Sequence, residues 1–297
     1  FGSRQVACTS RLRAEAVRSF VFISFFVMAH HGESCKRIIF ITAWSGVGKT
    51  TTGDYLGSYC KFHHLDGDED MRRRHVPECA SATDGLVKAF TDYWFKDVVA
   101  PAELWHPYFE LLCTKCLEAA EKHNDIVVSF SVYRREARDF IRERMGELGL
   151  VFLKLECDVD VVVKGAEKRI ADFMKLQNKS VEDYWNGESQ FPGVTFREKY
   201  GEYSFENFKK MQLEYYLSGM EPFAEDEHDT ITVDVSKRDA SVFNRINAVL
   251  GLSPLTCDID LDKLHELQEE RWKQILPGNQ EAPSGSRMRS REASSCC

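Results

Sequence analysis

An α/β fold with helices on both faces of a parallel sheet is predicted by two features of the sequence. Apolar runs of strand length recur along the chain, and segments with helical periodicity separate them. The chain has 297 residues and 43% hydrophobic content, which is enough to bury a substantial core. These observations predict a three-layer α/β/α sandwich built on a five-stranded parallel sheet.

The elements follow in chain order from the same patterns. The predicted strands are residues 37–43, 61–65, 126–130, 151–155 and 230–235. The predicted helices are residues 49–59, a helix within 86–98, then 103–122, 134–148, 158–175, 205–217 and 240–250. Pro101 separates the second helix from the third, because proline rarely continues a helix.

The first predicted strand runs directly into a glycine-rich loop. Residues 43–50 read Ala-Trp-Ser-Gly-Val-Gly-Lys-Thr and fit the Walker A pattern, with alanine in place of the first glycine. Glycines let backbone N–H groups curl around phosphate oxygens, the lysine can reach the β and γ phosphates, and the threonine can ligate Mg²⁺. The residues predicted to contact ATP are Ala43, Trp44, Ser45, Gly46, Val47, Gly48, Lys49, Thr50 and Thr51. ATP and Mg²⁺ are therefore the predicted cofactors, and a chance Gly-Lys-Thr in a surface loop is the alternative.

Two carboxylates follow the second predicted strand. Asp66 and Asp68 project to the same side of the chain, at the carboxyl edge of the sheet where ligands bind in such folds. Asp68 is the predicted base for the proton of an acceptor hydroxyl, and Asp66 is predicted to hold a water on Mg²⁺. An acidic turn on a solvated surface is the alternative.

Three arginines are candidates to bind phosphate or the acceptor. Arg134 and Arg138 lie four residues apart after the third strand, which would place them on one helical face. Helix-surface arginines paired with Glu136 or Glu143 are the alternative. Arg169 is a candidate to neutralise charge that develops on the phosphates during transfer.

Two adjacent histidines end the second predicted strand. The paired imidazoles of His63 and His64 are compatible with a metal site. Strand packing beside the substrate pocket is the favoured interpretation.

Net charge, cysteine spacing and the composition of the first residues limit the classes of partner and the cellular location that the sequence predicts. The formal charge of −8 argues against a non-specific nucleic-acid binder. The ten cysteines show no framework spacing, which favours reduced thiols in a cytoplasmic protein. The apolar run at 20–29 is too short to span a bilayer, so no membrane span is predicted. Basic residues before that run resemble a signal or transit peptide, so organelle targeting by residues 1–30 is an alternative to a dispensable extension.

Three short segments resemble the gluconokinase family, whose members are close relatives of shikimate kinases within the P-loop small-molecule kinases. Residues 131–139, Ser-Val-Tyr-Arg-Arg-Glu-Ala-Arg-Asp, resemble that family's Ser-Ala-Leu-Lys-x-x-Tyr-Arg-Asp. Residues 169–174, Arg-Ile-Ala-Asp-Phe-Met, are similar to its Arg-x-Gly-His-Phe-Met, and residues 220–223, Met-Glu-Pro-Phe, to its Leu-Glu-Pro-Pro. The resemblance implies a P-loop NTPase fold and ATP-dependent phosphorylation of a sugar-acid hydroxyl.

The chain departs from the family pattern at two positions. Asp172 replaces the family's histidine, and Gly165 corresponds to its first lid arginine. Residues 65–68, Leu-Asp-Gly-Asp, are equally similar to the turn of adenylyl-sulfate kinases. An adenylyl-sulfate or nucleotide kinase therefore stays open, as does a non-catalytic ATP-binding interaction protein.

The predicted domain organisation has four parts. Residues 1–35 form an extension outside the fold, and residues 36–253 form the kinase domain, with an insertion at 176–203 that is either a mobile lid or a surface excursion. Residues 254–278 form an acidic helix, and 279–297 a disordered tail. A small-molecule acceptor is the predicted partner, and a homodimer is left open.

Overall fold

Five strands form one parallel sheet at the centre of the protein. The computed structural model describes residues 36–68, 76–146, 148–187, 195–214, 219–255 and 257–275. The strands are β1 (Arg37–Thr42), β2 (His63–Asp66), β3 (Asp125–Ser129), β4 (Gly149–Glu156) and β5 (Thr230–Asp234). Their order in the sheet is β2-β3-β1-β4-β5, and every neighbouring pair is parallel. The predicted five-stranded α/β/α fold is confirmed.

Successive side chains of β1 belong to different layers. Ile38 and Phe40 enter one apolar cluster, whereas Ile39 and Ile41 enter the other. All four are almost fully buried, as expected for a central parallel strand that is covered by helices on both faces.

The helices cover the two faces of this sheet. They are α1 (Lys49–Cys60), α2 (Pro77–Asp92), α3 (Ala102–Ala120), α4 (Arg135–Met145), α5 (Val159–Leu176), α6 (Val181–Asn186), α7 (Phe196–Tyr200), α8 (Phe205–Gln212), α9 (Ser241–Val249) and α10 (Leu261–Ile275), with a 3₁₀ turn at Trp94–Lys96. The second helix begins at Pro77, well before the predicted start within 86–98, because proline is well suited to the first helical turn and the small residues Cys79 and Ala82 supply its buried side.

The predicted insertion contains ordered structure rather than an irregular loop. Helices α6 and α7 each begin with a capping box, at Ser180 and Thr195 respectively. An aromatic cluster holds this segment against α5. Its buried members are Val163, Trp185, Phe196, Tyr200, Phe208 and Met211. The role of this segment as a lid stays a prediction.

The last described helix packs on α1. Leu264 of α10 is fully buried in the same apolar cluster as Tyr55 and Leu56 of α1. The Asp260 N–H donates to the Tyr59 hydroxyl at 2.9 Å. The predicted extension at 1–35 and the predicted tail at 279–297 lie outside the described residues. Within the described ranges, no helix is both long and apolar enough to cross a membrane.

Candidate active site

The glycine-rich loop lies between the end of β1 and the start of α1. Gly46 and Gly48 have φ values of 78° and 110°, a backbone conformation that glycine adopts without strain. A Cβ at either position would meet nothing within 4 Å, so the space beside the loop is open. Gly48 caps α1 without a side-chain hydrogen bond. The first N–H groups of the helix are therefore not taken by a capping side chain, which fits an anion.

Two of the predicted loop residues can contact a ligand only through their backbone. The side chains of Ala43 and Val47 are buried in the apolar core. The Val47 N–H donates to the carbonyl of Trp44 at 3.3 Å, which closes the turn. Thr50 and Thr51 lie in the first turn of α1.

Lys49 is the electrostatic centre of the site. Its Nζ donates to the carbonyl oxygens of Ala43 and Trp44, at 3.1 Å each. Burial lowers the pKa of Lys49 to about 8, with Asp68 and then Asp66 opposing this shift and Arg169 adding to it. The structure therefore brings the predicted lysine, both predicted carboxylates and one predicted arginine into a single neighbourhood.

The acidic turn is held rigidly at the end of β2. The side chain of Asp66 is buried, whereas Asp68 is half-buried. Between them, the Gly67 carbonyl accepts a hydrogen bond from the Tyr108 hydroxyl at 3.0 Å. A Cβ at Gly67 would lie 2.8 Å from the ring of Phe130, so only glycine fits this turn.

The oxygen donors at this edge fit Mg²⁺. Among the described residues, no group of three or more His, Cys, Asp or Glu side chains could hold a metal by itself. Mg²⁺ usually takes only one or two carboxylates, and substrate phosphates and waters complete its shell. The Thr50 hydroxyl and the Asp66 carboxylate are the groups that would hold it.

Two arginines from different elements contact the loop. Arg169 of α5 donates from Nη1 to Ser45 Oγ at 3.2 Å. Arg238, in the turn after β5, donates from Nη2 to the Gly46 carbonyl at 2.8 Å. The sequence analysis did not single out Arg238. The sequence feature that could have identified Arg238 is the basic pair to which it belongs. This pair follows the last predicted strand, at the same sheet edge as the loop.

Arg134 lies where β3 leads into α4. Its guanidinium donates to Asp97 Oδ1 and to the Trp94 carbonyl, at 3.2 and 3.3 Å. It is the N-cap of α4 and has extended backbone angles. It therefore precedes the helix, and the prediction that Arg134 and Arg138 share one helical face is wrong.

Arg138 is part of the core and not of the site, which contradicts its predicted role in substrate binding. Its side chain is 0% exposed. The guanidinium donates to both carboxylate oxygens of Glu227, at 2.7 and 2.8 Å. It also donates to the carbonyls of Tyr133, Glu221 and Pro222, at 3.3 Å each. All five donors of the guanidinium are thus used within the protein.

The Glu227 carboxylate is the buried partner of the Arg138 guanidinium. Burial opposes ionisation of Glu227, but hydrogen bonds from Arg138, the Ala224 N–H and Arg142 outweigh it and lower its pKa to about 2. This pair fixes α4 to the segment before β5. It serves the fold, because no donor of Arg138 is left for a ligand.

A Walker A loop after the central strand of a parallel β2-β3-β1-β4-β5 sheet defines the P-loop NTPase fold. No protein-family model and no curated protein matches the chain. Among solved structures, the chain is similar to a gluconokinase from Sinorhizobium meliloti 1021, with 16% identity, 82% of this chain and 99% of that chain covered, and a TM-score of 0.42.

Two further solved structures are similar at the same level. A sugar kinase from Janibacter sp. HTCC2649 shares 17% identity over 74% of this chain and 96% of that chain, with a TM-score of 0.45. A shikimate kinase from Bacteroides thetaiotaomicron shares 15% identity over 72% of this chain and 98% of that chain, with a TM-score of 0.36. The fold assignment rests on the strand order and the phosphate loop rather than on these similarities.

Proposed function

We propose that this protein is a Mg²⁺-dependent kinase that transfers the γ-phosphoryl group of ATP to a hydroxyl of a small metabolite. The observation that carries the proposal is the convergence of Asp66, Asp68 and Arg169 on Lys49 beside the loop. An ATP-binding loop alone needs only the lysine and the backbone N–H groups. A pair of carboxylates and an additional cation are what phosphoryl transfer requires.

Each group has a distinct part in this mechanism. The loop N–H groups and Lys49 bind the phosphates, and Arg169 stabilises charge on the group in transfer. Asp68 accepts the proton of the acceptor hydroxyl. Thr50, and Asp66 through a water, would hold Mg²⁺, which would neutralise charge on the phosphate oxygens. Phosphoryl transfer depends mainly on this kind of positioning and electrostatic stabilisation.

Gluconate or a related sugar acid is our first choice of acceptor, which would place the enzyme in carbohydrate metabolism. The resemblance at residues 131–139 supports this choice, and Arg134 of that segment, unlike Arg138, is not fully enclosed in the core. Because Arg138 is paired with Glu227 in the core, the acceptor would contact one positively charged side chain fewer than the sequence predicts. The turn at 65–68 supports adenylyl sulfate or a nucleotide as the alternative acceptor.

A cytoplasmic location belongs to the same proposal. The cysteines of the described part of the chain are all free thiols. Reduced cysteines are typical of cytoplasmic proteins.

The first test is ADP release by the full chain with MgATP and a panel of acceptors. The panel contains gluconate, other sugar acids, shikimate, adenylyl sulfate and nucleoside monophosphates. Stimulation by one compound, lost in Lys49→Ala, would support the kinase and name its acceptor. An active Lys49→Ala variant would refute the phosphate-loop assignment.

Tight ATP binding without stimulated turnover would instead favour a non-catalytic ATP-binding protein. That alternative would use the acidic helix as its docking element. The structure makes this less favourable, because Leu264 of α10 is already buried against α1.

A further inference from the structure

Three buried polar side chains form a connected line behind the phosphate loop. Asp54 Oδ1 lies 3.0 Å from His64 Nδ1, and His64 Nε2 lies 2.9 Å from Ser129 Oγ. The side chains of Asp54 and His64 are 2% and 9% exposed, and Ser129 is 2% exposed. We call these residues the Asp54–His64–Ser129 relay.

The relay has the residue types of a hydrolase triad but cannot act as one. The Ser129 hydroxyl is enclosed, so no substrate can reach it. A Cβ at Gly53 would lie 2.1 Å from His64 Nε2, which shows that the α1 backbone lies directly over the imidazole. A nucleophilic serine needs an open face and donors for an oxyanion. The role of the relay must therefore be one of position.

The relay joins the two halves of the proposed metal site. Asp54 lies four residues after Thr50 on α1, and so one helical turn away on the same face. His64 lies two residues before Asp66 on β2, and so on the same side of that strand. Ser129 is the register partner of Asp66 across β2 and β3. A shift of α1 against the strands would thus strain the relay and separate Thr50 from Asp66.

Hydrogen-bond chemistry fixes the orientation of the ring. A carboxylate at Asp54 can only accept, which requires the proton of the neutral His64 ring to lie on Nδ1. In the neutral ring, Nε2 then accepts from the Ser129 hydroxyl. Leaving either buried partner of the ring without its hydrogen bond would cost free energy. The His64 ring is therefore held at both nitrogens.

We propose that His64 is a positioning residue that sets the spacing of Thr50 and Asp66, and thereby the contribution of Mg²⁺ to ATP binding. This inference rests on the proposed function. It assigns a role to a histidine that contacts neither nucleotide nor acceptor. The favoured sequence interpretation of His64, strand packing, accounts for its burial but not for a polar partner at each nitrogen.

The test compares ATP dissociation constants of the full chain in Mg²⁺ and in excess EDTA. In His64→Asn, the amide can replace Nδ1 beside Asp54 but cannot reach Ser129. Ser129→Ala removes the same hydrogen bond from the other side with a small change in volume. Loss of one such bond should reduce the Mg²⁺-dependent gain in affinity about three- to tenfold in both variants, while affinity in EDTA is unchanged.

Tyr55→Phe is the matched control. It removes a buried hydrogen bond of 2.9 Å between α1 and Asn247 of α9, on a contact outside the relay. Tyr55→Phe should lower Tm as the relay variants do. Its Mg²⁺-dependent gain in ATP affinity should equal that of the wild type. A merely structural relay would give that same result in all three variants.

The outcomes separate the two proposals. If Ser129→Ala and His64→Asn keep the wild-type gain, the positioning role is overturned and the proposed function stands. If His64→Asn does not fold, Ser129→Ala alone decides. If the wild-type chain shows no Mg²⁺-dependent gain at all, the proposed function and the positioning role are both overturned.

Discussion

ATP binding should weaken between pH 7 and pH 9 because Lys49 loses its proton over that range in the ligand-free protein. Burial lowers its pKa to about 8, although Asp68 and Asp66 favour the charged form. Phosphate oxygens bound to Nζ would favour the ammonium form strongly and raise that pKa again. At high pH, ATP binding must therefore be accompanied by uptake of a proton.

The size of the effect follows from the pKa. With a value of about 8, roughly 10% of Lys49 is neutral at pH 7 and roughly 90% at pH 9. If only the ammonium form binds, Kd rises about tenfold, which corresponds to about 1.4 kcal/mol. Proton uptake per ATP bound rises from about 0.1 to about 0.9 over the same interval.

Isothermal titration calorimetry with MgATP at both pH values measures the two quantities together. Repeating each titration in buffers with different ionisation enthalpies gives the proton uptake. Lys49→Arg is the control, because guanidinium stays charged throughout this range. Its Kd should change little between pH 7 and pH 9. A wild-type Kd that does not change, or that changes equally in Lys49→Arg, would refute the role assigned to this lysine.

Four other substitutions test the remaining assignments. Asp68→Asn should lower acceptor-dependent kcat by about a hundredfold or more and leave the Kd of ATP within about twofold; equal losses in both would show that Asp68 serves the metal or the fold. Arg138→Leu should reduce the free energy of unfolding by about 1.5–3 kcal/mol in urea titrations, because it removes one of the two guanidinium partners of a buried carboxylate and leaves Glu227 with Arg142, and a loss below about 1 kcal/mol would contradict that reasoning. In the wild type, the stability contributed by Glu227 is present above its unfolded pKa of 4.5 and is lost as the pH falls toward the folded value of about 2; Glu227→Gln should lack this component of acid unfolding. Gly53→Ala should lower Tm, because its Cβ would lie 2.1 Å from His64 Nε2; an unchanged melting curve would show that the ring can move aside.

The strands and the phosphate loop could be predicted because their signals are contiguous in sequence. Each predicted strand coincides with an observed one to within two residues at either end. The loop motif, with glycines at Gly46 and Gly48, likewise depends only on its own neighbours. Local apolar runs and turn residues are the most readable part of a sequence.

The fate of Arg138 could not be predicted in this way. Its partner Glu227 lies 89 residues later in the chain, and nothing in the local pattern shows that the two meet. Arg238 reaches Gly46 across 192 residues. Pairings of this kind depend on the tertiary structure, so a local pattern identifies the charged residue but not its role.

The two short helices of the insertion have local sequence signals that the prediction did not use. Ser180 with Asp183, and Thr195 with Glu198, are capping-box pairs that the structure places at the starts of α6 and α7. The buried Trp185 then explains the aromatic content, since its indole N–H donates to the Gly201 carbonyl at 2.8 Å.

Three cations beside the phosphate loop donate hydrogen bonds to oxygen atoms of the loop itself. Lys49 donates to two loop carbonyls, Arg169 to a loop hydroxyl and Arg238 to a third carbonyl, which makes four hydrogen bonds. An incoming phosphate chain therefore competes with these loop oxygen atoms for the same cations, in an exchange of acceptors. Selectivity in such an exchange depends on charge, because only an anion offers these donors a better acceptor than a neutral oxygen. A neutral ligand of the same shape would gain little by displacing them.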